Sequence, residues 1–227
     1  MKFRDYKTVK ERRNALEKDA NTSLTHFGSF SLDESVASGR NCENMIGVAQ
    51  VPMGVAGPLL IEEKSYYIPL ATTEGALVAS VSRGSKAISE SGGAHVDSYR
   101  SGVTRGPVFY VKDIKENDRL HTFLEEHADD LKEVAKNTSR HLELIKYMDR
   151  GVGRYRYVRF SFDTQDAMGM NMATIATEAV VKFIEEKTRV RCLSVAGNFD
   201  IDKKPAWLNV IEGRGVKAWA EVVLPHS

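Results

Sequence analysis

A chain of 227 residues, 42% hydrophobic and 28% charged, has the composition of an ordinary globular protein and can bury a core as one large domain or two small ones. Lys plus Arg number 32 against 31 Asp plus Glu, so no global field points to nucleic acid or an anionic membrane. The two cysteines, Cys42 and Cys192, lie far apart without a CxxC pair, which argues against a disulfide framework or a structural zinc site and fits a reducing compartment.

In chain order, Met1 to Lys18 is rich in Lys and Arg but has no apolar run behind it, unlike a signal peptide. No apolar run approaches the ~18 residues needed to cross a bilayer. A soluble, cytoplasmic protein without a metal site is expected. Asp5 to Ala20 has a polar helical rhythm. Ser31-Leu-Asp-Glu34 reads as a capping box with Ser31 as N-cap, and Gly39 as the stop of that short helix. Glu43 to Pro58 is small, apolar and punctuated by Gly47, Gly54 and Gly57, so its backbone should pass close to another chain or a ligand.

Tyr66 to Leu70 reads as a strand, and Glu74 to Ser91 as a helix ended by Gly92-Gly93. Val103 to Lys112 reads as a strand broken at Gly106-Pro107. Asp113 to Arg150 is charged, with helical spacing of Leu120, Phe123, Leu124, Leu131 and Val134. Tyr155 to Phe162 suits a strand, Met170 to Lys187 an amphipathic helix, and Arg191 to Val195 and Val216 to Leu224 two further strands. The strand–helix–strand–helix–strand order between about 108 and 195 indicates a small α+β module.

Four segments carry chemical possibilities. In Ala71-Thr-Thr-Glu-Gly, Glu74 is either a carboxylate answering a helix dipole or a proton donor in a closed site. In Asp166-Ala-Met-Gly-Met-Asn-Met172, Gly169 and the first-turn amides suit a phosphate, and the methionines could line a slot for a planar ring or fill a core. This is not GxGxxG, so a Rossmann reading fails. In Asp202-Lys-Lys-Pro205, with Asn209 and Glu212-Gly-Arg-Gly215 downstream, the acid and lysines form either a solvated turn or a buried Lys203 that polarises a carbonyl. Arg105, beside Gly106, is a candidate clamp for a carboxylate or a plain surface arginine.

The order and wording of these segments matter more than any one alone. Glu-Asn-Met-Ile-Gly (43–47), Pro-Met-Gly-Val-Ala-Gly-Pro-Leu (52–59), Ala-Thr-Thr-Glu-Gly, Thr-Arg-Gly-Pro (104–107), Asp-Ala-Met-Gly-Met-Asn-Met and Asp-Lys-Lys-Pro resemble class I 3-hydroxy-3-methylglutaryl-coenzyme A (HMG-CoA) reductases, almost continuously from Ser38 to Leu224. The resemblance implies reduction of HMG-CoA to mevalonate by two NADPH, with release of coenzyme A. It makes Lys203 the cation that stabilises the carbonyl oxyanion and Glu74 the acid that protonates oxygen. Asp202 and Lys204 would flank the hydroxymethylglutaryl group, Arg105 would bind its carboxylate side, and Ser80 and Arg83 would lie near coenzyme A. Asp166, Met168, Gly169, Met170 and Asn171 match the cofactor segment. Ser139-Arg140 matches a pair that meets the NADPH phosphates, with Arg140 favouring the 2′-phosphate.

The fold implied is α+β: a larger α/β substrate domain, 1–107 and 195–227, holding an inserted ferredoxin-like cofactor domain, 108–194. A homodimer that shares the active site is implied too. Departures from the family pattern are also visible. Its catalytic aspartate, its C-terminal histidine and a second glycine-rich cofactor segment find no match before residue 227, and His226 is not in that histidine's context. Ala196 stands where relatives usually have serine. The chain is thus expected to hold half an active site. A non-catalytic coenzyme A or nucleotide-binding remnant and a dimerisation module are the alternatives.

Overall fold

The computed structural model describes residues 5–225. The readings that fall on Met1–Arg4 and on His226 lie outside the described residues. The chain divides into two compact units, Met1–Ala94 with Val222–Ser227, and His95–Glu221. Both expected domain seams, after 107 and after 194, fall inside the second unit.

In the first unit, helix α1 (Val9–Ala20) opens on a capping box in which the Thr8 hydroxyl accepts from Glu11 N and the Glu11 side chain accepts from Thr8 N. Helix α2 (Glu34–Arg40) is capped by Asp33, whose carboxylate accepts from Ser35 N and Val36 N. The cap expected at Ser31 is therefore two residues late, because a carboxylate next to the first turn engages two amides at once. Gly39 does not stop this helix, which continues to Arg40.

Strands β1 (Met53–Ile61) and β2 (Lys64–Ala71) form an antiparallel hairpin with an irregularity between Ala56 and Leu59. Helix α3 (Leu77–Glu90) packs on β1, and its Ser89 hydroxyl receives Leu60 N and donates to Pro58 O at that irregularity. The close approach expected of the glycine-rich stretch is made within this chain. A Cβ on Gly47 would lie 2.2 Å from Phe27 O, and one on Gly54 2.9 Å from Val78. β1 itself was hidden in that stretch by its glycines and prolines.

In the second unit, β3 (His95–Arg105) and β4 (Val108–Tyr110) run end to end along one edge of β6 (Tyr155–Asp163), and β5 (Glu143–Val152) pairs with its other edge. β7 (Arg191–Ser194) lies beside β4, and β8 (Gly215–Glu221) beside β3. All these pairings are antiparallel. Helices α4 (Ile114–Glu126) and α5 (Ala128–Lys136) follow β4, and α6 (Met170–Thr188) follows β6. The charged stretch 113–150 is thus helical only to Lys136. β5 escaped the sequence reading because its mixture of Lys, Asp and Arg suits an edge strand with a half-exposed burial pattern.

The core is the layer between helices and sheet. Leu120, Leu124, Leu131 and Ala135 meet Ala173, Ala176, Val180 and Ile184 over Phe109, Val158, Phe160 and Phe162, all fully buried. The alternation of strands puts Val158, Phe160 and Phe162 on that face. Arg159 and Ser161 turn to the other face, where Arg159 donates to groups of helix α7 (Trp207–Glu212) and Gly213.

Candidate active site

The sharp turn before α6 builds one wall of a cleft. Ala167 N donates to Thr164 O (3.1 Å), and the Thr164 hydroxyl donates to Ala167 O (2.8 Å). Gly169 then adopts φ +75°, and a Cβ there would sit 2.3 Å from the Thr164 methyl, so only glycine fits. The first helical bond of α6 runs from Ala173 N to Gly169 O, leaving the earlier amides without helical partners. The Met question is answered in both senses. Met172 packs against the core, whereas Met168 and Met170 line the cleft.

That cleft has a volume of about 230 Å³ and is lined by Met168, Met170, Gln165, Lys203, Arg100 and Arg214, among others. The structure therefore brings Lys203 to the Asp166–Met172 segment. Lys203 is exposed at its rim, not buried between carboxylates, because Asp202 gives its carboxylate to Arg214 (3.3 Å). Arg214 also donates to the Thr104 hydroxyl (3.1 Å) and to Met170 Sδ (3.1 Å), tying β3, the 202–204 loop and the start of α6 together. Lys204 is exposed, and its carbonyl is held by Asn209. Arg100 lies 3.7 Å from both Asp163 and Asp166 and also donates to Gln165 O.

Arg105 is not a plain surface residue. Its Nε donates to the Thr174 hydroxyl (2.8 Å) and its Nη1 to Asp200 (3.3 Å), a carboxylate only 4% exposed. A ligand carboxylate would have to share this guanidinium with Asp200. Ser139 and Arg140 occupy the turn after α5, not a helix. The Ser139 hydroxyl approaches Met172 Sδ (3.7 Å), and the neighbouring His141 pairs with the Gln165 side chain (3.0 Å), so this turn adjoins the segment that opens α6. Arg140 donates to His141 Nε2 (2.9 Å) and remains exposed, as do Asp166 and Asn171.

Glu74, Ser80 and Arg83 belong to the first unit. Glu74 precedes α3 by three residues and is exposed, so the expected helix start is displaced to Leu77. Its amide donates to the Thr72 hydroxyl (2.9 Å), and Ala76 takes a left-handed φ of 64° before the helix begins. Ser80 and Arg83, three residues apart on α3, are both exposed along one side of the helix.

Sequence reasoning missed Arg100 and Arg214, which line the cleft, Asp200, which pairs with Arg105, and Arg159, which donates to Asn209. The Glu-Gly-Arg-Gly motif carried a signal for Arg214, but Arg159 is one of two arginines in β6 and nothing in the sequence sets it apart. Burial on the face of β6 away from the core, against α7 and Gly213, pushes the Arg159 guanidinium below its ordinary pKa. Among the described residues, no group of three or more His, Cys, Asp or Glu could hold a metal ion, and no helix is long and apolar enough to cross a membrane.

Comparison with known proteins bears on this arrangement. A family model described as hydroxymethylglutaryl-coenzyme A reductase matches residues 8–227. The chain is 47% identical over 222 residues to the 3-hydroxy-3-methylglutaryl-coenzyme A reductase of Pyrococcus horikoshii, covering 95% of this chain and 54% of that one. It is 44% identical over 205 residues to that of Halobacterium salinarum, covering 88% and 51%. The chain thus spans about half the length of these relatives. The structure of the class II reductase of Streptococcus pneumoniae bound to NADPH aligns with a TM-score of 0.65, over 88% of this chain and 57% of that one. At 22% identity that likeness concerns the fold alone. With the family's segments gathered in sequence order over nearly its whole length, the chain belongs to the HMG-CoA reductase family.

Proposed function

We propose that this chain contributes the cofactor wall and the lysine of an NADPH-dependent reductase that converts HMG-CoA to mevalonate and releases coenzyme A. The observation that carries this reading is the single cleft in which Lys203 faces Met168 and Met170. NADPH, when bound, supplies hydride. The donor set here fits its two ends. The cleft has room for one ring against the methionines, and Arg140, exposed in the adjoining turn, offers a cation to a phosphate.

The protein groups divide the remaining work by their chemistry. Lys203, an ammonium at the rim of an apolar slot, would stabilise negative charge on the thioester and then the aldehyde oxygen. Glu74 would return a proton to that oxygen. Asp202 and Lys204 flank Lys203 in sequence and would border the hydroxymethylglutaryl group, with Arg105 at its carboxylate side. Ser80 and Arg83 on α3 would receive coenzyme A, the arginine answering its phosphates.

We further read 108–194 as an inserted ferredoxin-like cofactor domain. Its strands follow the order β7-β4-β6-β5, the fourth, first, third and second strands of a βαββαβ unit with helices on one face. A homodimer with a shared site follows from the family reading. Free Cys42 and Cys192 agree with a reducing, cytoplasmic setting.

NADPH oxidation by the purified chain with HMG-CoA, with Lys203→Ala alongside, tests the proposal. Turnover lost in that variant supports the chemistry. Binding of HMG-CoA or NADPH without turnover marks a partial reductase. Absence of both turnover and binding would sink the function while leaving the ancestry.

A further inference from the structure

The loop that presents Lys203 is built against backbone preference. Ile201 and Asp202 take φ values of 58° and 54°, two consecutive non-glycine residues in the left-handed region. A β-branched isoleucine is an outlier there, so the surrounding structure must over-determine the conformation. Within the loop, only Lys204 N to Ile201 O (3.3 Å) closes the turn. Arg214 holds the Asp202 side chain but not the backbone.

The backbone is held from outside by Asn209. Its Nδ2 donates to Asp202 O and to Lys204 O, each at 3.2 Å, the carbonyls on either side of Lys203. Its Oδ1 accepts from Arg159 Nη2 at 3.2 Å. Arg159 is 1% exposed, and among the described residues it makes no ion pair, giving its second contact to Gly213 O (3.0 Å). A guanidinium has only donors, so the amide oxygen must face it and the NH₂ must face the two carbonyls. Flipping the amide would set donor against donor and oxygen against oxygen.

We infer that Asn209 is the positioning residue for Lys203, and that buried Arg159 acts through it by fixing which way its amide points. This rests on the reading of Lys203 given above, but the geometric part stands apart from it. Asp202-Lys-Lys is held as a rigid bracket, so the lysine enters the cleft from a preset backbone.

The experiment uses the purified 227-residue chain with Asn209→Ala, Asn209→Asp and Arg159→Met, read by hydrogen–deuterium exchange of the 201–204 peptide and by thermal unfolding. Asn209→Asp discriminates best, because a carboxylate still accepts from Arg159 but cannot donate to either carbonyl. Its expected result is exchange of the 201–204 peptide at least about ten-fold faster, with the melting temperature kept or raised by the new ion pair. A merely structural asparagine would lose loop protection and melting temperature together, or neither. Asn209→Ala should loosen the loop equally. Adding Arg159→Met to Asn209→Ala should loosen it no further, since both act on one link.

Wild-type exchange at 201–204 in Asn209→Asp and Asn209→Ala overturns the inference. So does a loop effect that adds fully in the double variant. A Lys203→Ala chain that oxidises NADPH at the wild-type rate overturns the role of Lys203 instead, and leaves the exchange result to judge the bracket alone.

Discussion

The two units of this chain bury very different amounts of apolar surface. In the second, a continuous layer of Phe, Leu, Val and Ile is sealed between three helices and one face of a sheet. In the first, the described buried hydrophobics are Val9, Met45, Ala56 and Ala94, while Met53, Val55 and Tyr67 on the hairpin are 60–72% exposed. The first unit is held instead by helix caps, by Arg12 and Arg13 reaching the carbonyls of Met45 and Ile46, and by glycines at close crossings. Small-residue backbones that approach closely leave little side chain to bury. The contrast teaches that a region can be well specified by polar and steric fit without owning a core of its own. Such a region draws little stability from hydrophobic burial and should open first.

The largest expected effect is at Phe160, fully buried beneath α6. Phe160→Ala should cost about 3–5 kcal/mol in urea unfolding, whereas Met53→Ala on the exposed hairpin should stay within about 0.5 kcal/mol. Equal losses would break the comparison. Next comes Gly169→Ala, which must adopt a left-handed φ and collides with Thr164. A loss of about 1–3 kcal/mol is expected, accompanied by weaker NADPH binding in a titration, because Met168 and Met170 move with it. If affinity and stability both stay unchanged, the glycine was not what shapes the cleft wall.

A smaller effect should follow Asp33→Ala, which removes the acceptor for two amides of α2 at a cost of about 1 kcal/mol. Faster exchange at Ser35 and Val36, with β6 amides untouched, would sharpen the distinction between the units. The smallest effect is chemical. Burial pushes the Cys192 thiol up to about 11, whereas Cys42 is exposed. At pH 8 iodoacetamide should label Cys42 at least about ten-fold faster. The sign for stability follows: Cys192 is raised in the folded state, so its contribution is complete below the unfolded-chain pKa and falls away as pH rises toward about 11. Stability that stays flat across that window would show the thiol to be wetter than its surroundings imply.

Much of the second unit was legible beforehand. Leu120, Leu124 and Leu131 announced helices by spacing, and β6 and α6 appeared nearly at their observed bounds. The Asp166–Met172 and Asp202–Pro205 segments stood out by their residues, and both contribute side chains to one cleft. β1 and β5 were not legible. One is masked by glycine and proline, the other by charges on a sheet edge, and neither follows the simple alternation of a half-buried strand. At α2, local hydrogen-bonding geometry chose Asp33 over Ser31 as the cap.

What the amino-acid order determined by itself was the period of the core helices, the family to which the segments belong, and the need for glycine where α6 begins. These depend on neighbours along the chain or on residue identity. Only the tertiary structure decided that Lys203 and the methionines share one cleft, that Asp200 and Arg214 already occupy Arg105 and Asp202, and that Arg159 reaches Asn209 from fifty residues away. Those outcomes depend on which polar groups meet once β6 and α7 are stacked. No spacing rule along a chain encodes a hydrogen bond made across the back of a sheet.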